Sequence, residues 1–116
     1  MHTLLEIQNW YKAQCDGWWE NDNGIKIETC DNPGWWVHIS LKGTALENKS
    51  FEPVKKNIPE DLENQALGLV KAPFIAAWPT SKDDWLMCHI SNHTFDGAGD
   101  PSKLEEILNI FLNWIK

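Results

Sequence analysis

The sequence predicts a two-layer α+β fold: an antiparallel sheet of four to five strands, covered on one face by N- and C-terminal helices. Three observations carry this expectation. Segments with helical apolar spacing stand at residues 3–15 and 102–115. Between them, residues 25–30, 35–41 and 84–91 alternate apolar and polar side chains in the period of a strand. The connections at 31–34 and 92–93 are short and rich in Asn, Asp, Gly and Pro, which suits antiparallel neighbours. A chain of 116 residues fits one domain, 1–116, with one core.

The first helix has a start signal in Thr3 and Glu6, the spacing of a capping box. Leu4, Ile7, Tyr11 and Cys15 form its apolar stripe, with Trp10 alongside. Asp16-Gly17 ends it, because glycine accepts the left-handed cap. A hairpin follows over 24–42, turned at Asp31-Asn32-Pro33-Gly34. Its second strand sends Trp35, Val37, Ile39 and Leu41 one way and Trp36, His38 and Ser40 the other. Residues 43–49 read as a turn. Phe51 to Val54 suits an edge strand, since Pro53 cannot donate to a ladder on both sides. Pro59 to Leu67 suits a short helix, and 69–82 a packed loop.

Asp84 to Ser91 returns to a strand. Leu86, Cys88 and Ile90 share one face; Trp85, Met87 and His89 share the other. A short strand around Phe95 should then be broken by Gly97-Ala98-Gly99. The last helix is capped by Asp100 with Pro101 in its first turn, or by a Ser102/Glu105 box. Leu104, Ile107, Leu108, Phe111 and Ile115 make its buried stripe, widened by Trp114.

Composition excludes several classes of function. Ten lysines and no arginine face 17 carboxylates, for a formal charge of −7. Gripping a phosphate backbone needs a basic stripe, so nucleic acid is a poor partner. No bidentate guanidinium is available for carboxylate or phosphoryl substrates. The N-terminus carries no signal-peptide pattern, and no apolar run is long enough for a bilayer, so a cytoplasmic protein is expected. Cys15, Cys30 and Cys88 are widely spaced and odd in number, which suits reduced, buried thiols.

Enzyme-like constellations are weak. Cys88, His89 and His93 lie close in sequence, and a small Cys/His metal-binding or thiol enzyme is the rival reading. Yet adjacent strand residues point to opposite faces, so a shared metal site would need a bulge. A reactive thiol needs a cation or a helix N-terminus beside it, and none of the three has one. No catalytic residue, metal or cofactor is assigned.

Tryptophan is the anomaly. There are eight, including the pairs Trp18-Trp19 and Trp35-Trp36. Two neighbours in a strand cannot enter the same core. The face away from the helices would therefore carry Trp36, His38, Trp85, Met87 and His89, an adhesive surface for water to cover. Either a partner protein, a second copy, or the chain's own 69–82 segment must cover it.

The segments WYKAQCDGWWE, GIKIETCDNPGWWVHISL, DDWLMCHIS and FDGAGDPSKLEEILNIFLNW occur in an order that resembles the immunity protein 53 family. The likeness covers most of 9–56 and 83–115. It implies an antidote of bacterial polymorphic toxin systems, which binds a cognate toxin domain and performs no catalysis. Related antidotes often face nucleases, whose basic clefts an acidic inhibitor would suit. The expected contact set is then Asp83, Asp84, Asp96 and Asp100 for charge, with Trp36, His38 and Trp85 for apolar contact. The expected partner is that toxin, with no nucleic acid and no membrane, and the chain is a monomer or weak homodimer.

Overall fold

The computed structural model describes residues 2–30, 33–58 and 84–116. Their order is α1 (Thr3–Gln14), α2 (Trp19–Asp22), β1 (Ile25–Cys30), β2 (Gly34–Ser40), β3 (Val54–Lys56), β4 (Leu86–Ser91), β5 (Thr94–Gly99) and α3 (Leu104–Ile115). The five strands form one antiparallel sheet in the order β1-β2-β5-β4-β3. The α+β arrangement with N- and C-terminal helices is the one the sequence predicts. The expected helix at 59–67, the loop at 69–82 and the first two residues of the 31–34 turn lie outside the described residues.

Alternation decides which face is covered. Val37, Ile39, Leu86, Cys88 and Phe95 project to one side and are fully buried. They meet Ile107, Leu108, Phe111 and Leu112 of α3 and Ile7 of α1 in one core. Aromatic edges close it: Phe95 packs on Phe111 at 5.3 Å between ring centres, and Trp10 on Phe111 at 5.2 Å. The 41–51 loop is strapped to α3 by two long-range bonds. Lys49 Nζ donates to the Trp114 carbonyl (2.6 Å) and Trp114 Nε1 to the Ser50 carbonyl (2.8 Å).

Several local expectations are corrected. Thr3 is not a cap: it lies inside the first turn of α1, and its hydroxyl reaches Glu105 Oε2 (3.1 Å) and Asn109 Oδ1 (3.2 Å) on α3. A bond between helices wins over the local box. Leu4 and Cys15 leave the stripe and are exposed, while Ile7 is buried. Of the three thiols only Cys88 is buried; Cys15 is exposed and Cys30 half-buried. The third strand begins one residue after Pro53, at Val54.

The largest correction concerns Gly97-Ala98-Gly99. These residues do not break β5; they complete it, between β2 and β4 in the sheet. A Cβ on Gly97 would sit 2.4 Å from Ile107 Cγ2, and one on Gly99 2.6 Å from Lys103 Cβ. The glycines let α3 and its lead-in approach the sheet backbone, and packing outweighs the poor strand propensity.

Candidate functional site

The sheet's second face holds the residues singled out from sequence. Cross-strand pairing aligns His38, Asp96 and His89 in one row across β2, β5 and β4, with Trp36, Ala98 and Met87 in the row beside it. His38 Nδ1 pairs with Asp96 Oδ1. The Trp36 ring stands edge-on to His38, 4.0 Å between centres. On the β4 side the face is closed: Trp85, Met87 and Ala98 form a second buried cluster against Cys30, Trp36 and Ile58. His89 is buried too, and among the described residues neither ring nitrogen has a hydrogen-bond partner. Burial therefore pushes its pKa down, with the Asp96 charge pulling weakly the other way.

The β2 side is open. A cleft of about 920 Å³ surrounds the start of β1, with Tyr11 of α1 and Asp22 of α2 on one wall and Glu28, Trp36 and His38 on another. Polar and aromatic groups converge there. Trp36 Nε1 is buried and has no partner among the described residues, although the residue as a whole is half-exposed.

The acidic residues separate. Asp96 is buried behind His38. Asp100 is 1% exposed. Its Oδ2 accepts from the Trp85 amide (2.9 Å), its Oδ1 from the Ser102 amide (2.7 Å) and hydroxyl (2.6 Å). Lys103 Nζ lies 2.9 Å away. Burial alone would raise this carboxyl's pKa, but the bonds from Ser102, Lys103 and Trp85 hold it well below the usual range. Asp84 is exposed and has a positive φ of 63°. It bridges Lys103 (3.0 Å) and Lys56 (3.3 Å), whose hydrogen bonds and charges lower its pKa. Trp85 is 1% exposed. Asp83 lies outside the described residues. The structure thus brings Trp36, His38 and Asp96 together and places Asp84, Asp100 and Trp85 in a separate clasp with Lys103.

Trp18 is absent from the expected contact set, yet it is 81% exposed. Asp16 Oδ1 accepts from the amides of Trp18 and Trp19 (2.9 Å each), and Glu20 accepts from those of Asp16 (3.0 Å) and Gly17 (2.8 Å). Trp19 anchors this turn, donating from Nε1 to the Lys42 carbonyl at 2.7 Å. The signal in sequence is D-G-W-W-E: one indole of the pair seats the turn and the other must face out.

The Cys/His constellation does not assemble. Cys88 points into the core, where burial and then the Glu106 charge push its thiol up to about 12. His89 points to the opposite face, and His93 is an exposed turn residue 4.0 Å from Glu47. Among the described residues no group of three His, Cys, Asp or Glu side chains could hold a metal ion. Among them, too, no helix is long and apolar enough to cross a membrane.

Together these residues define a two-layer α+β domain whose buried polar groups serve the fold and whose open cleft is lined by indole, imidazole and carboxylate. The family model for immunity protein 53 matches residues 4–116, and the chain belongs to that family. The family implies a toxin-neutralising function and a protein toxin as partner. No curated protein and no solved structure matches the chain.

Proposed function

We propose that the chain acts in the cytoplasm as the antidote to one cognate toxin domain, a nuclease, and blocks it by binding without chemistry of its own. Family membership supports the class. The observation that carries the finer reading is the cleft beside β1, which Trp36 and His38 line together with the carboxylates of Asp22 and Glu28. A net charge of −7 without arginine favours a basic partner, and nucleases keep a basic groove for phosphates. Carboxylates can occupy the positions phosphates would take, while the indole supplies desolvated contact area.

Within the expected contact set, Trp36 and His38 make direct contact and Asp96 orients His38. Asp84 contributes surface charge. Asp100 and Trp85 support the site through the fold, and Asp83 remains a charge contributor to be tested by substitution.

The test is co-expression with the toxin domain encoded by the neighbouring gene, followed by titration of purified components. Stoichiometric binding that abolishes nuclease activity is expected, with Trp36→Ala raising Kd roughly tenfold or more. A toxin that stays active at saturating antidote overturns the reading.

A further inference from the structure

The two edges of the sheet are treated differently. β3 spans three residues, follows Pro53 and carries Lys55 and Lys56, all devices that discourage pairing. β1 is less blunted: it contains no proline, is twice as long, and its one lysine, Lys26, stands two residues from the opposite charge of Glu28. It runs six residues in unbroken register with β2, and Lys26, Ile27, Glu28 and Thr29 are all exposed. Among the described residues nothing pairs with its outer side.

Its backbone polarity follows from one bond. Ser40 N donates to the Gly24 carbonyl, so Gly24 and Ser40 are a hydrogen-bonded pair. Alternation then turns the amides and carbonyls of Lys26 and Glu28 toward β2, and those of Ile25, Ile27 and Thr29 outward. Ile27 is also 39% exposed on the helix side of the sheet. Lys26 and Glu28, on the other side, have no ion-pair partner among the described residues.

We propose that β1 is a self-pairing strand: a second copy adds antiparallel to it about a two-fold axis through Ile27, joining two sheets into one. Only odd-numbered residues have outward backbone groups, so only registers that pair odd with odd can form. Centred on Ile27, Ile27 pairs with its own copy and Ile25 with Thr29, and Lys26 of each copy falls opposite Glu28 of the other. Shifted so that Ile25 meets Ile27, Lys26 faces Lys26. Shifted so that Ile27 meets Thr29, Glu28 faces Glu28. Like charges directly opposite repel and unlike charges attract, so the unpaired charges select the centred register. The same two-fold sets both helical layers on one side, with the incoming strand about 5 Å from β1 as in any sheet. Because Lys26 and Glu28 also line the toxin-facing cleft, self-pairing and toxin binding would compete for this edge. Self-pairing needs no toxin, and it stands or falls separately from the toxin's identity.

The test is sedimentation equilibrium on the full chain from micromolar to millimolar concentration, with amide exchange on the same samples. A concentration-dependent dimer is expected, in which the amides of Ile25, Ile27 and Thr29 gain protection while those of Lys26 and Glu28 stay unchanged. Lys26→Glu or Glu28→Lys alone should weaken the dimer roughly tenfold, and the double swap should restore most of it. Ile27→Pro should abolish it while keeping the circular dichroism spectrum, because that amide points away from β2. A chain that is monomeric at every concentration overturns the proposal. So does a dimer in which the double swap fails to rescue the single changes. Protection of the three outward amides only on adding toxin domain would also overturn it, and would assign the edge to the toxin instead.

Discussion

At Gly97 the sheet and α3 come so close that a single methyl group has no room. Gly97→Ala would push a Cβ into the fully buried Ile107, and should cost about 1–3 kcal/mol by urea unfolding. Asp100 makes a comparable contribution by charge. Asp100→Ala strips acceptors from the Trp85 and Ser102 amides and, among the described residues, leaves buried Lys103 with Asp84 as its one ion-pair partner, for an expected loss of about 3 kcal/mol. Its pH signature has a definite sign. A carboxyl held low in the folded state stabilises fully above its unfolded value, near 3.8, and loses that contribution as pH falls toward the folded value. Asp100→Asn should therefore flatten the acid limb of the stability profile. His89 acts over a higher range. Its folded pKa lies below the ordinary histidine value of 6.5, so the unfolded chain takes up its proton first and stability falls as pH drops below about 6.5. Asp96 opposes this, being the charge beside it, and His89→Leu should remove that slope. At this scale the sequence was misleading where packing competes with propensity. The glycines signalled a break and serve instead as close-contact points, and Asp100 read as a surface charge because nothing local reveals that the distant Trp85 amide will bond to it.

Elements were far more legible than their ends. Period-two alternation sorted the side chains of β2 and β4 onto the correct faces, because successive strand residues point to opposite sides whether or not both are covered. The stripe of α3 is likewise direct evidence of one covered side, and Ile107, Leu108 and Phe111 are all buried. α1 was harder. Only Ile7 and Thr3 of its residues are buried, so its apolar spacing overstated its contact with the core. What fixes α1 is partly polar, the Thr3 hydroxyl on Glu105 and Asn109 of α3. Thr3→Val should cost about 1 kcal/mol in a urea titration while leaving α3 intact, since it removes bonds and keeps the shape. The functional elements were half legible. Trp36 and His38 could be assigned to the outer face from alternation alone. That Trp85 would be buried there, and Trp18 left out in solvent, depends on tertiary contacts which no spacing encodes.

For the whole molecule, charge governs encounter and topology governs assembly. A surface at −7 should speed association with a basic toxin at low salt, and the association rate should fall steeply as salt shortens the screening length, with dissociation little changed. Stopped-flow mixing over a salt series measures this, and a flat rate would remove electrostatic steering from the account. The sheet order carries a further consequence. β5 follows every other strand in the sequence, yet it lies between β2 and β4 and joins the two halves of the sheet. While the ribosome is still delivering residues 94–99, β1–β2 and β3–β4 are separate two-stranded fragments, each too small to stand alone in water. The antidote is thus born in one late step: nascent chains stalled before Thr94 should be protease-sensitive, and protection in the cell should begin only after that last strand and the α3 helix that packs on it have followed.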